Sequence, residues 1–107
     1  MKKHFNITVK GKVQGVFYRA STEKKANELR VKGKVKNLPN GDVYIEAEGD
    51  EEKLSNFLAW CKQGPSQARV EKIEVNEGKL KNYLSLPTFF LSVIFANFYE
   101  HNDSTSE

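Results

Sequence analysis

A chain of 107 residues has room for one domain around one core, and a domain of that size folds unaided. Its formal net charge of +3 is mild: it suits a small anionic substrate or weak nucleic-acid contact and selects neither. The lone Cys61 excludes an internal disulfide and fits a reducing compartment, and the lysines at the start have no apolar run behind them, so no secretory signal is expected.

Phe5, Ile7 and Val9 alternate with Asn6, Thr8 and Lys10, the period of a half-buried strand ending at Gly11. A glycine loop follows. Residues 19–32 then read as a helix, with Thr22, Ala26 and Leu29 on one face and Gly33 as its stop. Residues 34–38 form a second strand. Pro39-Asn40-Gly41-Asp42 is a turn, with Asn40-Gly41 as the hairpin corner. Val43, Ile45 and Ala47 alternate with Tyr44, Glu46 and Glu48 in a third strand that runs to Gly49.

Asp50 reads as an N-cap, with Glu51 and Glu52 in the favoured first turn. Leu54, Phe57, Leu58 and Cys61 form the apolar face of this second helix, which Gly64-Pro65 ends. Residues 68–75 are a fourth strand, where the parity change between Val70 and Ile73 predicts a bulge or register shift. The order strand, helix, strand, strand, helix, strand buries a core when both helices cover one face of an antiparallel sheet. This is the α+β, ferredoxin-like split βαβ arrangement.

The domain is expected over residues 1–83. Residues 84–99 are apolar and β-prone, and they suit an edge strand, a divergent C-terminus or a docking segment. Pro87, Ser92 and Asn97 interrupt that stretch, which falls short of the ~20 residues of a spanning helix, so no membrane role is expected. Residues 100–107 are polar and are expected to be disordered.

The stretch Gly11-Lys12-Val13-Gln14-Gly15-Val16-Phe17-Tyr18-Arg19 joins a strand end to a helix start. Two glycines let the backbone curl, so successive N–H groups can form an anion nest backed by the positive helix end. Arg19 can add a bidentate fork to phosphate. No Gly-Lys-Ser/Thr closes the loop, so it is not a Walker loop. A plain glycine turn with a surface arginine is the competing reading. Asn37, near the end of the second strand, suits a turn-maker on its own. Beside the cradle its amide can both accept from and donate to one water.

These residues resemble the acylphosphatase family. Gly11 to Arg19 looks like its first signature, and Gly33-Lys34-Val35-Lys36-Asn37, with Gly41, Val43 and Gly49 after it, looks like its second. Gly64-Pro65-Ser66-Gln67-Ala68-Arg69-Val70 resembles the family's passage from second helix to fourth strand, and the likeness covers about residues 3 to 76. It implies a ferredoxin-like fold and hydrolysis of acyl phosphates without metal or other cofactor. It further implies that Arg19 binds the phosphoryl group, that the backbone of Gln14, Gly15, Val16, Phe17 and Tyr18 completes the cradle, and that Asn37 orients the attacking water. Two features depart from the family: Lys34 stands where an aromatic is usual, and the apolar stretch after Tyr83 is longer than the family's last strand.

The expected partner is a small-molecule acyl phosphate, and the expected form is a cytoplasmic monomer. RNA binding is the rival that the fold class offers. However, the open face would carry Asn6, Thr8 and Lys10 beside Tyr44, Glu46 and Glu48, and two glutamates do not suit an RNA platform. A non-catalytic module binding an anion or a protein is the other alternative. His4 and His101 have no ligand partners at metal spacing and read as surface residues.

Overall fold

The structure is a computed structural model and describes residues 1–81; the segments 84–99 and 100–107 discussed above lie outside the described residues. Its elements are β1 (Lys2–Lys12), α1 (Tyr18–Glu28), β2 (Lys32–Asn37), β3 (Val43–Asp50), α2 (Glu51–Gln63) and β4 (Arg69–Gly78). The four strands form one sheet in the order β2-β3-β1-β4, and every pairing is antiparallel. This is the expected ferredoxin-like α+β fold. Ile7, Val9, Val35, Val43, Ile45 and Ala47 enter one core with Ala26, Leu54, Phe57 and Cys61 from the helices.

The parity change in β4 is a bulge. Lys10 faces Lys72 while Gly11 faces Val70, so Glu71 is the extra residue. That extra residue lets Val70 and Ile73, three apart in sequence, both pack against the core.

α1 ends earlier than its sequence suggests. The expected stop at Gly33 is replaced by a Schellman turn in which Arg30 takes the left-handed conformation at φ 59°. The Val31 N–H donates to the Ala26 carbonyl at 2.8 Å and the Arg30 N–H to the Asn27 carbonyl at 3.2 Å. Burial of Val31 next to Ala26 secures the turn, and this apolar contact outweighs the small cost of a non-glycine residue there. Gly33 is thereby released into the interior of β2. Asp50 does precede α2, but its side chain makes no cap hydrogen bond. Its carboxylate instead meets the Met1 ammonium at 3.4 Å.

His4 is a second correction, because the ring is fully buried rather than on the surface. The β1–β3 register sets it opposite Glu48, whose carboxylate lies 3.0 Å from Nδ1, while Nε2 lies 3.0 Å from the Asn6 side-chain oxygen. The Lys81 N–H donates to the same Glu48 oxygen at 2.6 Å, so the chain after β4 returns over this polar face.

Candidate active site

β1 runs out at Lys12, and residues 13–17 form a bent loop before α1 begins. The loop is anchored by what it buries. Val13 and Val16 enter the core, and Tyr18 is fully buried with its ring 5.6 Å from that of Trp60. The Tyr18 hydroxyl donates to the Cys61 carbonyl at 2.6 Å, and burial pushes its pKa up. Its side chain is therefore committed to the core, and only its backbone faces the loop. The thiol of Cys61 is likewise pushed up to about 12 by burial, which suits an inert core residue.

Two residues of the loop have positive φ, Gly15 at 75° and Phe17 at 62°, and they give the loop its curl. Among the described residues, no backbone carbonyl accepts from the N–H groups of Gln14 to Tyr18. Phe17 occupies the N-cap of α1 without a capping bond, and the first turn carries no acidic residue. Among the described residues, the positive end of the helix thus has no cap from Phe17 and no first-turn carboxylate, an arrangement that suits an anion site. Arg19 follows in the first turn and is only 4% exposed, where a guanidinium acts through a lower dielectric than at the surface.

Asn37 stands at the last position of β2. It pairs with Val43, and Val43 pairs with Val9, so the three residues form one row across the sheet. Two strand spacings, about 10 Å, therefore separate Asn37 from β1 at the end where the loop begins. The loop bridges that gap. Gln14 Nε2 donates to the carbonyls of both Leu38 and Asp42 at 2.8 Å. Lys10 Nζ adds an ion pair to Asp42 at 3.1 Å, which raises the lysine pKa through that hydrogen bond. The hairpin turns one residue earlier than the Asn40-Gly41 corner expected from the sequence. The Gly41 N–H donates to the Leu38 carbonyl at 3.1 Å and so makes Pro39 and Asn40 the central residues. Gly41 at φ 99° completes a three-residue loop closed by the Leu38 N–H on the Asp42 carbonyl at 2.8 Å. The Asn37 Oδ1 atom is buried and accepts no hydrogen bond from the described residues, while the residue makes a further interaction.

All the residues singled out in the sequence therefore share one end of the sheet: Gln14, Gly15, Val16, Phe17, Tyr18 and Arg19 in the loop and helix start, and Asn37 on the hairpin tied to it. The side chain of Gln14 is the element that sequence reasoning missed. Its partners are backbone carbonyls, which leave no trace in residue types. Gln14→Ala is expected to lower kcat about tenfold by loosening the hairpin. In an Asn37→Ala background the same change is expected to cost much less, and a double-mutant cycle on kcat measures that coupling.

The chain matches the acylphosphatase family model over residues 5–89. An acylphosphatase of Methylococcus capsulatus is 51% identical over 75 residues, covering 70% of this chain and 82% of that one. Among solved structures, an acylphosphatase from Coxiella burnetii superposes with a TM-score of 0.74 at 41% identity, over 77% of this chain and 86% of that one. The acylphosphatase from Bacillus subtilis gives 0.73 at 36% identity, over 77% and 91%. With Arg19 of the first signature and Asn37 of the second at one end of the matching fold, the chain belongs to the acylphosphatase family, enzymes that hydrolyse acyl phosphates to a carboxylate and inorganic phosphate.

Proposed function

We propose that this acylphosphatase works by holding the phosphoryl group in the backbone N–H groups of Gln14 to Tyr18 and the guanidinium of Arg19, while Asn37 orients water for attack. The observation that carries this reading is the Gln14 clamp, which fixes the Asn37 hairpin against the loop. The water oxygen attacks phosphorus and the bond from phosphorus to the carboxylate oxygen breaks. The carboxylate leaves as a stable anion, and the water's proton ends on the phosphate product. Because the leaving group needs little protonation, positioning and charge stabilisation supply the rate, and no side-chain base is assigned. The enzyme acts on small-molecule acyl phosphates without a metal or other cofactor, as a cytoplasmic monomer. No helix of the described residues is long and apolar enough to cross a membrane.

The open face of the sheet offers little to RNA. Its Tyr44 hydroxyl donates to Glu46 at 3.1 Å, and burial, with Glu46 beside it, pushes the phenol up to about 12. Glu46 and Glu48 are buried in that face, where a phosphate backbone would meet their charge.

The test is hydrolysis of acetyl phosphate and benzoyl phosphate with a chelator present. The intact chain is expected to turn over both substrates. Asn37→Ala is expected to lower kcat on the order of 10²-fold, with a much smaller change in KM. An inactive intact chain, loss of activity on chelation, or full activity in Asn37→Ala each defeats the proposal.

A further inference from the structure

Phe17 breaks two local rules at once. A bulky residue at φ 62°, ψ 24° is a backbone outlier whose strain glycine would not bear. It also occupies an N-cap, where Ser, Thr, Asp or Asn would satisfy a helix N–H, and it makes no such bond. Burial does not compensate. Val13, Val16 and Tyr18 of the same loop are at most 5% exposed, whereas Phe17 is 61% exposed. Every other large apolar side chain of the loop is thus used to anchor it, and Phe17 is held out in solvent at a cost in stability. Strain that packing does not explain points to a role in binding.

The position narrows that role. Phe17 lies between Gly15 and Arg19, within the cradle that the proposed function assigns to the phosphoryl group. In an acyl phosphate the carbonyl carbon is one bridging oxygen from phosphorus, so the acyl substituent must lie against the rim of that cradle. An exposed ring on the rim offers an apolar face to the substituent, and an aromatic acyl group gains most from it, by stacking and by losing apolar surface to water.

We propose that Phe17 is a specificity residue whose ring receives the acyl group, so that the enzyme favours aromatic acyl phosphates over acetyl phosphate. This inference rests on the phosphate site proposed above. The measurement is the ratio of kcat/KM for benzoyl phosphate to that for acetyl phosphate, in the intact chain and in Phe17→Gly, Phe17→Ala and Phe17→Trp. Any damage to the cradle falls on both substrates and cancels in the ratio. Intrinsic reactivity is common to all the variants and cancels between them. The ratio is expected to fall on the order of tenfold in Phe17→Gly and Phe17→Ala, and to be retained in Phe17→Trp. Glycine relieves the backbone strain, so Phe17→Gly is also expected to melt no lower than the intact chain, which separates selectivity from folding. An unchanged ratio in Phe17→Gly overturns this inference alone. Failure of the intact chain to hydrolyse either substrate overturns the site reading and this inference with it.

Discussion

Replacing Arg19 by alanine is expected to lower kcat/KM for acyl-phosphate hydrolysis on the order of 10³-fold. As phosphoryl transfer proceeds, charge spreads over the three equatorial oxygens of phosphorus. In the proposed mechanism, backbone N–H groups supply partial charges there, whereas Arg19 supplies a full one in a fork that two oxygens can share. At 4% exposure that charge is screened far less than at the surface, and it is set in the first turn of α1 before substrate arrives. Arg19→Lys retains the charge but loses the fork, so it is expected to recover only a small part of the loss. Inhibition by inorganic phosphate separates binding from chemistry, because its Ki should rise with the loss of ground-state contacts while the larger fall appears in kcat. A buried arginine also has structural contacts, so each variant is read beside its melting temperature. Wild-type kcat/KM in a folded Arg19→Ala would remove Arg19 from the mechanism.

The order of the elements was legible in the sequence because strand and helix periods alternate cleanly and turn residues separate them. Pairing was legible only in part. The two hydrophobic residues of β4 that differ in parity announced a bulge, and the ladder confirms it at Lys10 and Gly11. The end of α1 was misread because the left-handed position is filled by Arg30, and a stop made of backbone bonds and a buried Val31 has no glycine to advertise it. His4 was misread for a different reason. Its partner Glu48 reaches it only once β1 lies antiparallel to β3, while Asn6 stands two residues along β1 on the same face, so no ligand spacing in the sequence marks the contact. Lys34, the departure from the family pattern, belongs to the same face, where its ammonium lies 3.7 Å from Glu46. A carboxylate on the next strand thus meets the lysine charge at this position.

At the site the division falls between residue type and backbone. The glycines and Arg19 make the loop legible in the sequence as a candidate anion cradle. What makes that cradle rigid, and what joins it to Asn37, is carried by carbonyls and dihedral angles: the paired bonds of Gln14, the carbonyl of Cys61 that holds Tyr18, and the left-handed Phe17. No pattern of residue types announces these contacts.

Gly33→Ala is expected to destabilise the fold by about 3–5 kcal/mol, and to lower the melting temperature by roughly 15 °C or more. Gly33 lies inside β2 at φ 145°, opposite Ala47, and a Cβ there would sit 1.8 Å from the Glu46 carbonyl oxygen and 3.2 Å from the Ala47 Cα. These are backbone atoms of β3, which cannot rotate away as a side chain would. The two strands must separate locally, and the ladder bonds around Gly33 weaken with them. Gly41→Ala is the control, because its φ of 99° is strained for alanine but a Cβ there meets nothing within 4 Å. Strain alone is worth about 1 kcal/mol, so the difference between the two variants isolates the clash. In the proposed mechanism, the consequence reaches the chemistry, since Asn37 ends the same strand and is placed by its register with Val43. The folded fraction of Gly33→Ala should therefore show a lowered kcat, whereas Gly41→Ala, in the hairpin that carries Asn37, is a control on stability alone. Equal melting temperatures for the two variants would mean that β2 can shift along β3 without cost. The same freedom would undo the case that β2 holds Asn37 at a fixed place beside the cradle.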